Sequence, residues 1–191
     1  KANFPAIYMA AVLTADAGDV EKIAEFITEC KRMNMPVLPP SINESFGDFT
    51  VVKNSSGVDQ IRFGLYTIKN FGEGIADIII EERKKGGKFA SLVNFLDRIK
   101  DKNLNKKSLE ALIKCGAMDE LGERGSMLGN LEDLLAYNKE KNKNNNHNSL
   151  FGGLRTDTSA LKLRPVPLAD KKDKLAWEKE LLGLYISGHP L

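Results

Sequence analysis

Apolar residues recur every three to four positions along most of the first 137 residues of this 191-residue chain, and this spacing predicts a series of amphipathic helices. The first is expected over residues 4–14, where one stripe holds Ile7, Ala10, Ala11 and Thr14. Asp19 is a suitable N-cap for a second helix. Further helices are predicted over residues 75–83, over 91–99 with Ser91 as the cap, from Asn105 or Ser108 to Cys115, and over 125–138.

Two short runs of β-type residues interrupt the helices. Residues 49–52 and 61–63 flank the turn-forming sequence Asn-Ser-Ser-Gly, so a small β-hairpin is expected. After the helical region the chain is dominated by Asn, Lys and Glu, which cannot form a packed core. A flexible linker is therefore predicted over residues 138–170. Helical spacing returns in residues 171–186.

These elements predict a mainly α-helical fold, in which a helix-hairpin-helix module with a small β-hairpin is followed by a flexible linker and a C-terminal helix. The chain is accordingly divided into four parts. They are a helical part at residues 1–45, the β-hairpin and helix-hairpin-helix module at 46–137, the linker at 138–170 and the terminal helix at 171–191.

Composition and net charge exclude several classes of protein. The net charge is only +2, so any contact with nucleic acid must come from a local patch. Cys30 and Cys115 lie in helical apolar patterns, which is typical of reduced core cysteines in a reducing compartment. No apolar run approaches the roughly 20 residues that span a bilayer. The N-terminus has no signal-peptide pattern, so a cytoplasmic location is expected. The chain begins without Met, and we expect it to be a piece of a longer protein.

The segment Ile-Lys-Asn-Phe-Gly-Glu-Gly-Ile-Ala, at residues 68–76, is the strongest functional indication. Asn70 and Gly72 tolerate the positive φ of a tight turn, and Phe71 can point into the core. The helix that follows would present backbone N–H groups and its positive dipole end to a phosphate. The residues predicted to contact a DNA backbone are Lys69, Asn70, Gly72, Glu73, Gly74 and Ile75.

This segment has two other interpretations. A tight turn between two helices, with no ligand, explains the same residues equally well. A dinucleotide-binding loop is less suitable, because the third glycine and the preceding strand are missing.

A basic run closes the same helix, and it is formed by Arg83, Lys84, Lys85 and Lys88. Lys102, Lys106 and Lys107 could join it in one phosphate-facing patch. Basic residues before a Gly-Gly break are, however, also what a helix C-terminus favours, and this simpler interpretation is preferred.

An apolar pair stands out in the otherwise polar linker. The candidate binding residues there are His147, Ser149, Leu150 and Phe151. Adjacent exposed Leu and Phe are unfavourable in a linker unless they fill a partner's pocket. A short linear binding motif and a chance pair that folds back on the parent domain both remain open.

Catalytic chemistry is poorly supported. The sequence contains no Cys-x-x-Cys motif and no nucleophile elbow. The two histidines, His147 and His189, lie far apart, so no metal site is expected. No residue is therefore predicted to be catalytic.

Two of the most specific stretches of the chain are Ile-Lys-Asn-Phe-Gly-Glu in the hairpin and Leu-Leu-Gly-Leu-Tyr-Ile-Ser-Gly-His-Pro-Leu at the end of the chain. In these stretches the chain resembles the catalytic (alpha) subunits of bacterial DNA polymerase III, the C-family of replicative polymerases. The matching stretches run nearly end to end. They are residues 4–13, 37–43, 61–65, 68–73, 109–117 and 180–191.

The resemblance implies that residues 1–45 are the end of the fingers region and that the helix-hairpin-helix module holds duplex DNA leaving the active site. His147 to Phe151 aligns with the family's pentapeptide that docks in the sliding clamp. His147 stands where the family usually has Gln, and Asn70 where it usually has Gly. The family's catalytic carboxylates and their Mg²⁺ belong to the palm region, upstream of these residues, so no cofactor is expected here.

The expected function is a non-catalytic segment of a DNA-directed DNA polymerase, a nucleotidyltransferase of DNA replication. The implied partners are double-stranded DNA, the sliding clamp (beta subunit) and other replicase subunits, with no membrane, and the implied location is the cytoplasm at replication forks in the nucleoid. The rival is a structural or protein-interaction spacer that touches no DNA. An independent enzyme is disfavoured by the missing chemistry.

Overall fold

Eight α-helices and a three-stranded sheet form the part of the chain that the computed structural model describes, residues 3–146 and 161–188. The mainly α-helical prediction is confirmed. The helices are α1 Pro5–Ala15, α2 Val20–Arg32, α3 Glu73–Gly86, α4 Leu92–Arg98, α5 Lys106–Lys114, α6 Arg124–Gly129, α7 Leu131–Asn146 and α8 Lys171–Leu182. The strands are β1 Val37–Leu38, β2 Thr50–Lys53 and β3 Asp59–Arg62, and a 3₁₀ turn covers Leu65–Thr67.

The sheet has the strand order β1-β3-β2. β2 and β3 are antiparallel, with Val51 opposite Ile61, which is the predicted hairpin. β1 adds a third strand parallel to β3, with Val37 opposite Ile61 on its other side. Ile61 is fully buried at the centre of this sheet. The two-residue strand β1 is too short to be predicted as a sheet strand from its own sequence.

Two predicted helix starts are confirmed by their capping bonds. Asp19 accepts a hydrogen bond from the Lys22 N–H at the start of α2, over 3.2 Å. Ser91 accepts one from the Asn94 N–H at the start of α4, over 3.1 Å. Ser, Thr, Asp and Asn are the side chains that best satisfy the first-turn donors of a helix, so these positions could be found from sequence.

The stripe predicted for α1, residues 7, 10, 11 and 14, is buried at Ala10 alone. Ile7 is 61% exposed, and the buried residues of the helix are Ala6, Met9, Ala10 and Leu13. Because α1 carries apolar residues on every side, spacing alone cannot choose the face that packs against α2, β2 and β3.

The single helix predicted over residues 125–138 is two helices, α6 and α7, separated at Asn130. The Asn130 side chain is fully buried. Its amide nitrogen donates to the carbonyl oxygens of Ser126 and Arg164, over 2.8 and 3.0 Å, and its oxygen accepts from the Arg164 N–H over 2.7 Å. An Asn side chain that bonds neighbouring backbone groups competes with helical bonding, which is why the helix ends here.

The predicted linker over residues 138–170 is corrected at both ends. α7 continues to Asn146, and Asn138 is buried, donating to the carbonyl oxygens of Leu96 and Ile99 over 2.8 Å each. At the other end the returning chain lies on α6, where a Cβ on Gly129 would be 2.8 Å from Val166. A polar composition is therefore compatible with packing where side-chain amide groups bond the carbonyl groups at the end of a helix. The other predicted boundaries between the four parts of the chain remain predictions.

None of the helices in the described ranges is both long and apolar enough to cross a membrane.

Candidate nucleic-acid interface

The first turn, residues 68–72, joins the 3₁₀ turn to α3. Asn70 has φ 65°, in the left-handed region that Asn tolerates better than most residues. Phe71 is 6% exposed and packs in the core, so it locks the turn as the sequence predicts. Gly72 has φ −79°, which any residue can adopt, so its glycine is not required by the backbone.

The start of α3 is open to solvent. Its N-cap residue is Gly72, which has no side chain to accept a bond from the first-turn N–H groups. A Cβ built on Gly72 or on Gly74 meets nothing within 4 Å. The first-turn amides of α3 are therefore accessible to an external acceptor, and helix N-termini favour anions.

The second turn, residues 99–105, joins α4 to α5 and was not singled out from the sequence as a site. Here Asn105 is the N-cap, and it accepts from the Ser108 N–H over 3.1 Å. The Ser108 hydroxyl accepts in return from the Asn105 N–H over 2.9 Å, which completes a capping box. The capping box therefore satisfies two donors at the start of α5, the N–H groups of Asn105 and Ser108.

The two turns meet at one cavity of about 270 Å³, which we call the hollow. Among the described residues that line it, none carries a carboxylate, and Lys107 is the one with a charged side chain. The lining residues are Asn70, Gly72, Gly74 and Ile75 from the first turn and α3, and Asn103, Asn105, Lys107 and Ser108 from the second turn and α5. Two helix N-termini and one ammonium group thus converge on the same space.

The sequence did contain a signal for the second turn. Leu104 is 4% exposed and lies one residue before the N-cap of α5, as Phe71 lies one residue before the N-cap of α3. Asn103 precedes Leu104 as Asn70 precedes Phe71. The order Asn, buried apolar residue, N-cap therefore occurs twice.

Two of the six residues predicted at the DNA backbone face elsewhere. Lys69 and Glu73 line a separate cavity of about 790 Å³, together with Asp48, Tyr66 and Glu180. Tyr66 donates a hydrogen bond to the Asp77 carboxylate on α3, and this bond raises the pKa of Tyr66 to about 12. The structure therefore groups Asn70, Gly72, Gly74 and Ile75 and separates Lys69 and Glu73 from them.

The predicted basic patch is corrected at Arg83. This side chain is buried, donates to the Ile42 carbonyl oxygen over 2.8 Å and lies 5.0 Å from the Phe46 ring centroid. Burial lowers the pKa of Arg83. Arg83 therefore anchors α3 to the rest of the fold and is not part of an exposed patch.

The other members of the basic run are exposed at the far end of α3. Lys84 pairs with Glu81 over 2.8 Å, Lys88 lies 3.8 Å from Glu44, and Lys85 is exposed. Ten residues of helix place them about 15 Å from the hollow. The C-cap residue of α3 is Gly87, with φ 74°, and Arg98 donates to the Gly87 carbonyl oxygen over 3.0 Å.

The candidate clamp-binding residues His147, Ser149, Leu150 and Phe151 lie outside the described residues. Within residues 3–146 and 161–188, no group of three or more His, Cys, Asp or Glu side chains is placed to hold a metal ion.

Comparison with known proteins agrees with the geometry. A family model described as a helix-hairpin-helix motif matches residues 34–127, a span that contains both turns and the hollow. The DNA polymerase III subunit alpha of Deinococcus radiodurans is 44% identical over 197 residues, which cover the whole chain and 14% of that protein. The same subunits of Thermus aquaticus and Borreliella burgdorferi are each 40% identical over the whole chain, which covers 15% and 17% of them.

The chain belongs to the DNA polymerase III alpha-subunit family. The resemblance stated from the sequence is thereby confirmed. The chain spans 14 to 17% of the length of these alpha subunits. Family membership therefore concerns one segment, and its two turns are the features that a functional proposal must explain.

Proposed function

We propose that this chain is a non-catalytic segment of a bacterial replicative DNA polymerase and that it holds duplex DNA by the phosphate backbone. The hollow carries the proposal, because it joins the open N-terminus of α3 to Lys107 without a carboxylate in its lining. As part of such a polymerase, the segment would serve DNA-templated DNA synthesis in the cytoplasm, at replication forks.

The binding mode follows from the groups around the hollow. N–H groups of the first turn of α3 would donate to phosphate oxygens, which Gly72 and Gly74 allow to approach closely. Lys107 would add a positive charge on the opposite wall. Contacts of this kind position a protein on the duplex without reading bases, and they release counterions.

A salt titration of duplex affinity tests this proposal. The wild-type chain is expected to bind an arbitrary duplex weakly, with affinity falling steeply as salt rises. Lys107→Ala should weaken binding and reduce the slope of log K against log salt by about 1. Lys85→Ala removes the same charge at the far end of α3 and should change the slope less. Undetectable or salt-independent binding by the wild-type chain would favour the rival, a structural spacer.

We also propose that His147 to Phe151 tethers the segment to the sliding clamp. The support is the apolar pair Leu150 and Phe151 in a polar stretch, and the match of this stretch to the family's clamp-binding pentapeptide. A weak peptide contact suffices for a tether, because DNA raises the effective concentration of one partner near the other.

Calorimetry against the cognate clamp tests the tether. Leu150→Ala combined with Phe151→Ala is expected to abolish binding, and His147→Gln should strengthen it. The control is Leu163→Ala with Leu168→Ala, which removes two exposed apolar side chains that follow in the chain. Equal loss in the control pair, or none in the first pair, would count against the motif.

A further inference from the structure

The end of α8 touches the first turn directly. The Lys69 N–H donates to the Leu181 carbonyl oxygen over 2.9 Å, although the two residues are far apart in the chain. Leu181 is 4% exposed, so this bond lies at a packed contact. Leu181 also lines a small cavity together with Asn70 of the first turn and Lys107 of α5. One helix end therefore lies against both sides of the hollow.

A buried ion pair fixes α8 in this position. Glu178 is fully buried, and one of its carboxylate oxygens accepts from both terminal nitrogens of Arg124, over 3.2 Å each. The other oxygen accepts from the backbone N–H groups of Ile186 and Ser187 over 3.0 Å each. A buried carboxylate is tolerated only when its oxygens are bonded in this way.

Arg124 extends the same network to α5. It donates to the Lys114 carbonyl oxygen at the C-terminal end of α5, over 3.2 Å, and forms a two-point contact with Asp119. α5 begins at the hollow, and the carbonyl oxygen of its last residue, Lys114, accepts from Arg124. The ion pair therefore connects α8 with the helix that forms the second wall.

We infer that α8 is part of the DNA-binding unit and that Glu178 is its positioning residue. Glu178 touches no phosphate. It holds Leu181 against the first turn, and through Arg124 it holds α5, so the hollow keeps the width that a phosphate needs. This inference rests on the proposed function in one respect, namely that the ligand of the hollow is the duplex backbone.

Glu178→Gln in the full chain tests the inference. Glutamine keeps the side-chain volume but removes the charge that pairs with Arg124, and its NH₂ group cannot accept from the Ile186 and Ser187 N–H groups. The net charge of the variant is more positive by one, which alone would strengthen DNA binding. The control is Glu140→Gln on α7, an exposed residue with the same charge change. The measurements are amide hydrogen exchange at Lys69 and affinity for an arbitrary duplex at several salt concentrations.

Exchange of the Lys69 amide is expected to become about tenfold faster in Glu178→Gln, because the contact with Leu181 opens more often. Duplex affinity should fall about fivefold while the salt slope stays unchanged, since no phosphate contact is removed. Glu140→Gln should leave the Lys69 exchange unchanged and the affinity equal or slightly higher. A merely structural role of Glu178 would change exchange and leave affinity as in the control.

A second variant keeps the inference testable if Glu178→Gln does not fold. Gly183→Ala is electroneutral and acts at the end of α8, where Gly183 has φ 83° and an added Cβ would lie 2.7 Å from Val20. It should speed Lys69 exchange and weaken duplex binding in the same direction. Unchanged affinity in both folded variants overturns this inference alone, whereas absent duplex binding by the wild-type chain overturns the proposed function as well.

Discussion

The two turns around the hollow are built on the same order of residues but begin their helices differently. α3 starts at Gly72, without a capping side chain, whereas α5 starts with the complete capping box of Asn105 and Ser108. A capping box satisfies two of the donors at a helix start, whereas an uncapped start leaves all of them for an external acceptor. The first turn is thus suited to hold a phosphate, and the second supplies a rigid wall and the charge of Lys107.

The largest change in duplex affinity is expected when α3 receives the N-cap side chain that it lacks. Gly72→Asp places a carboxylate at the N-cap of α3, where it would accept from the first-turn N–H groups and repel a phosphate. Duplex affinity is expected to fall about tenfold to a hundredfold, while stability rises by about 0.5 kcal/mol. Denaturant unfolding and a duplex titration measure both effects.

Gly72→Ala is the matched control, because the position is open and its φ suits any residue. It should bind duplex DNA far better than the Asp variant does. Equal affinity of Gly72→Asp and the wild-type chain would show that the α3 amides do not hold a phosphate.

Removing the N-cap side chain of α5 should change stability more than duplex affinity. Asn105→Ala leaves the Ser108 N–H without its acceptor, and unfolding is expected to become easier by about 1 kcal/mol. Duplex affinity should change little once the variant is folded. Asn103→Ala in the same turn keeps the capping box and serves as the control. A large loss of affinity with unchanged stability would mean that Asn105 itself contacts the ligand.

The backbone conformation of the first turn can be tested by substitutions of Asn70. Because Asn70 has φ 65°, Asn70→Ala should destabilise the chain by roughly 0.5–1 kcal/mol. Asn70→Gly should be neutral or slightly stabilising, because glycine adopts positive φ without a steric penalty. Thermal unfolding of the two variants side by side measures the difference, and equal stabilities would contradict the assigned backbone strain.

The smallest expected effect concerns pH. The bond to Asp77 raises the pKa of Tyr66 to about 12, so the folded state favours the neutral phenol. The stabilisation is complete below the ordinary tyrosine pKa near 10 and is lost as the pH rises from about 10 to about 12. Tyr66→Phe should therefore differ from the wild-type chain at pH 8 and converge with it at high pH. Parallel stability curves would contradict this assignment.

Sequence reasoning succeeded where the cause is local. Asp19, Ser91 and Asn70 each act on backbone groups within a few residues, and a short window contains all the partners. The mainly helical class follows for the same reason, because helical spacing is a local property.

Sequence reasoning failed where the partner is distant in the chain. Asn138 looked like linker because its neighbours are polar, yet its amide meets the carbonyl oxygens at the end of α4. Arg83 looked like part of an exposed basic run, yet Ile42 and Phe46 enclose it. Lys69 lines the cavity of about 790 Å³ and not the hollow, and its backbone N–H bonds the distant Leu181, which no local pattern contains.

Because of the bonds between Asn130 and Arg164, we expect the chain to behave like a split protein, in which two fragments associate without a covalent link. The segment 161–188 is held by these bonds, by the Glu178 ion pair and by apolar contacts, as a separately added peptide would be held. A single cut in the backbone between residues 147 and 160 would therefore leave two fragments that stay assembled. The covalent connection governs how often the two parts meet, and the contacts govern how firmly they remain together.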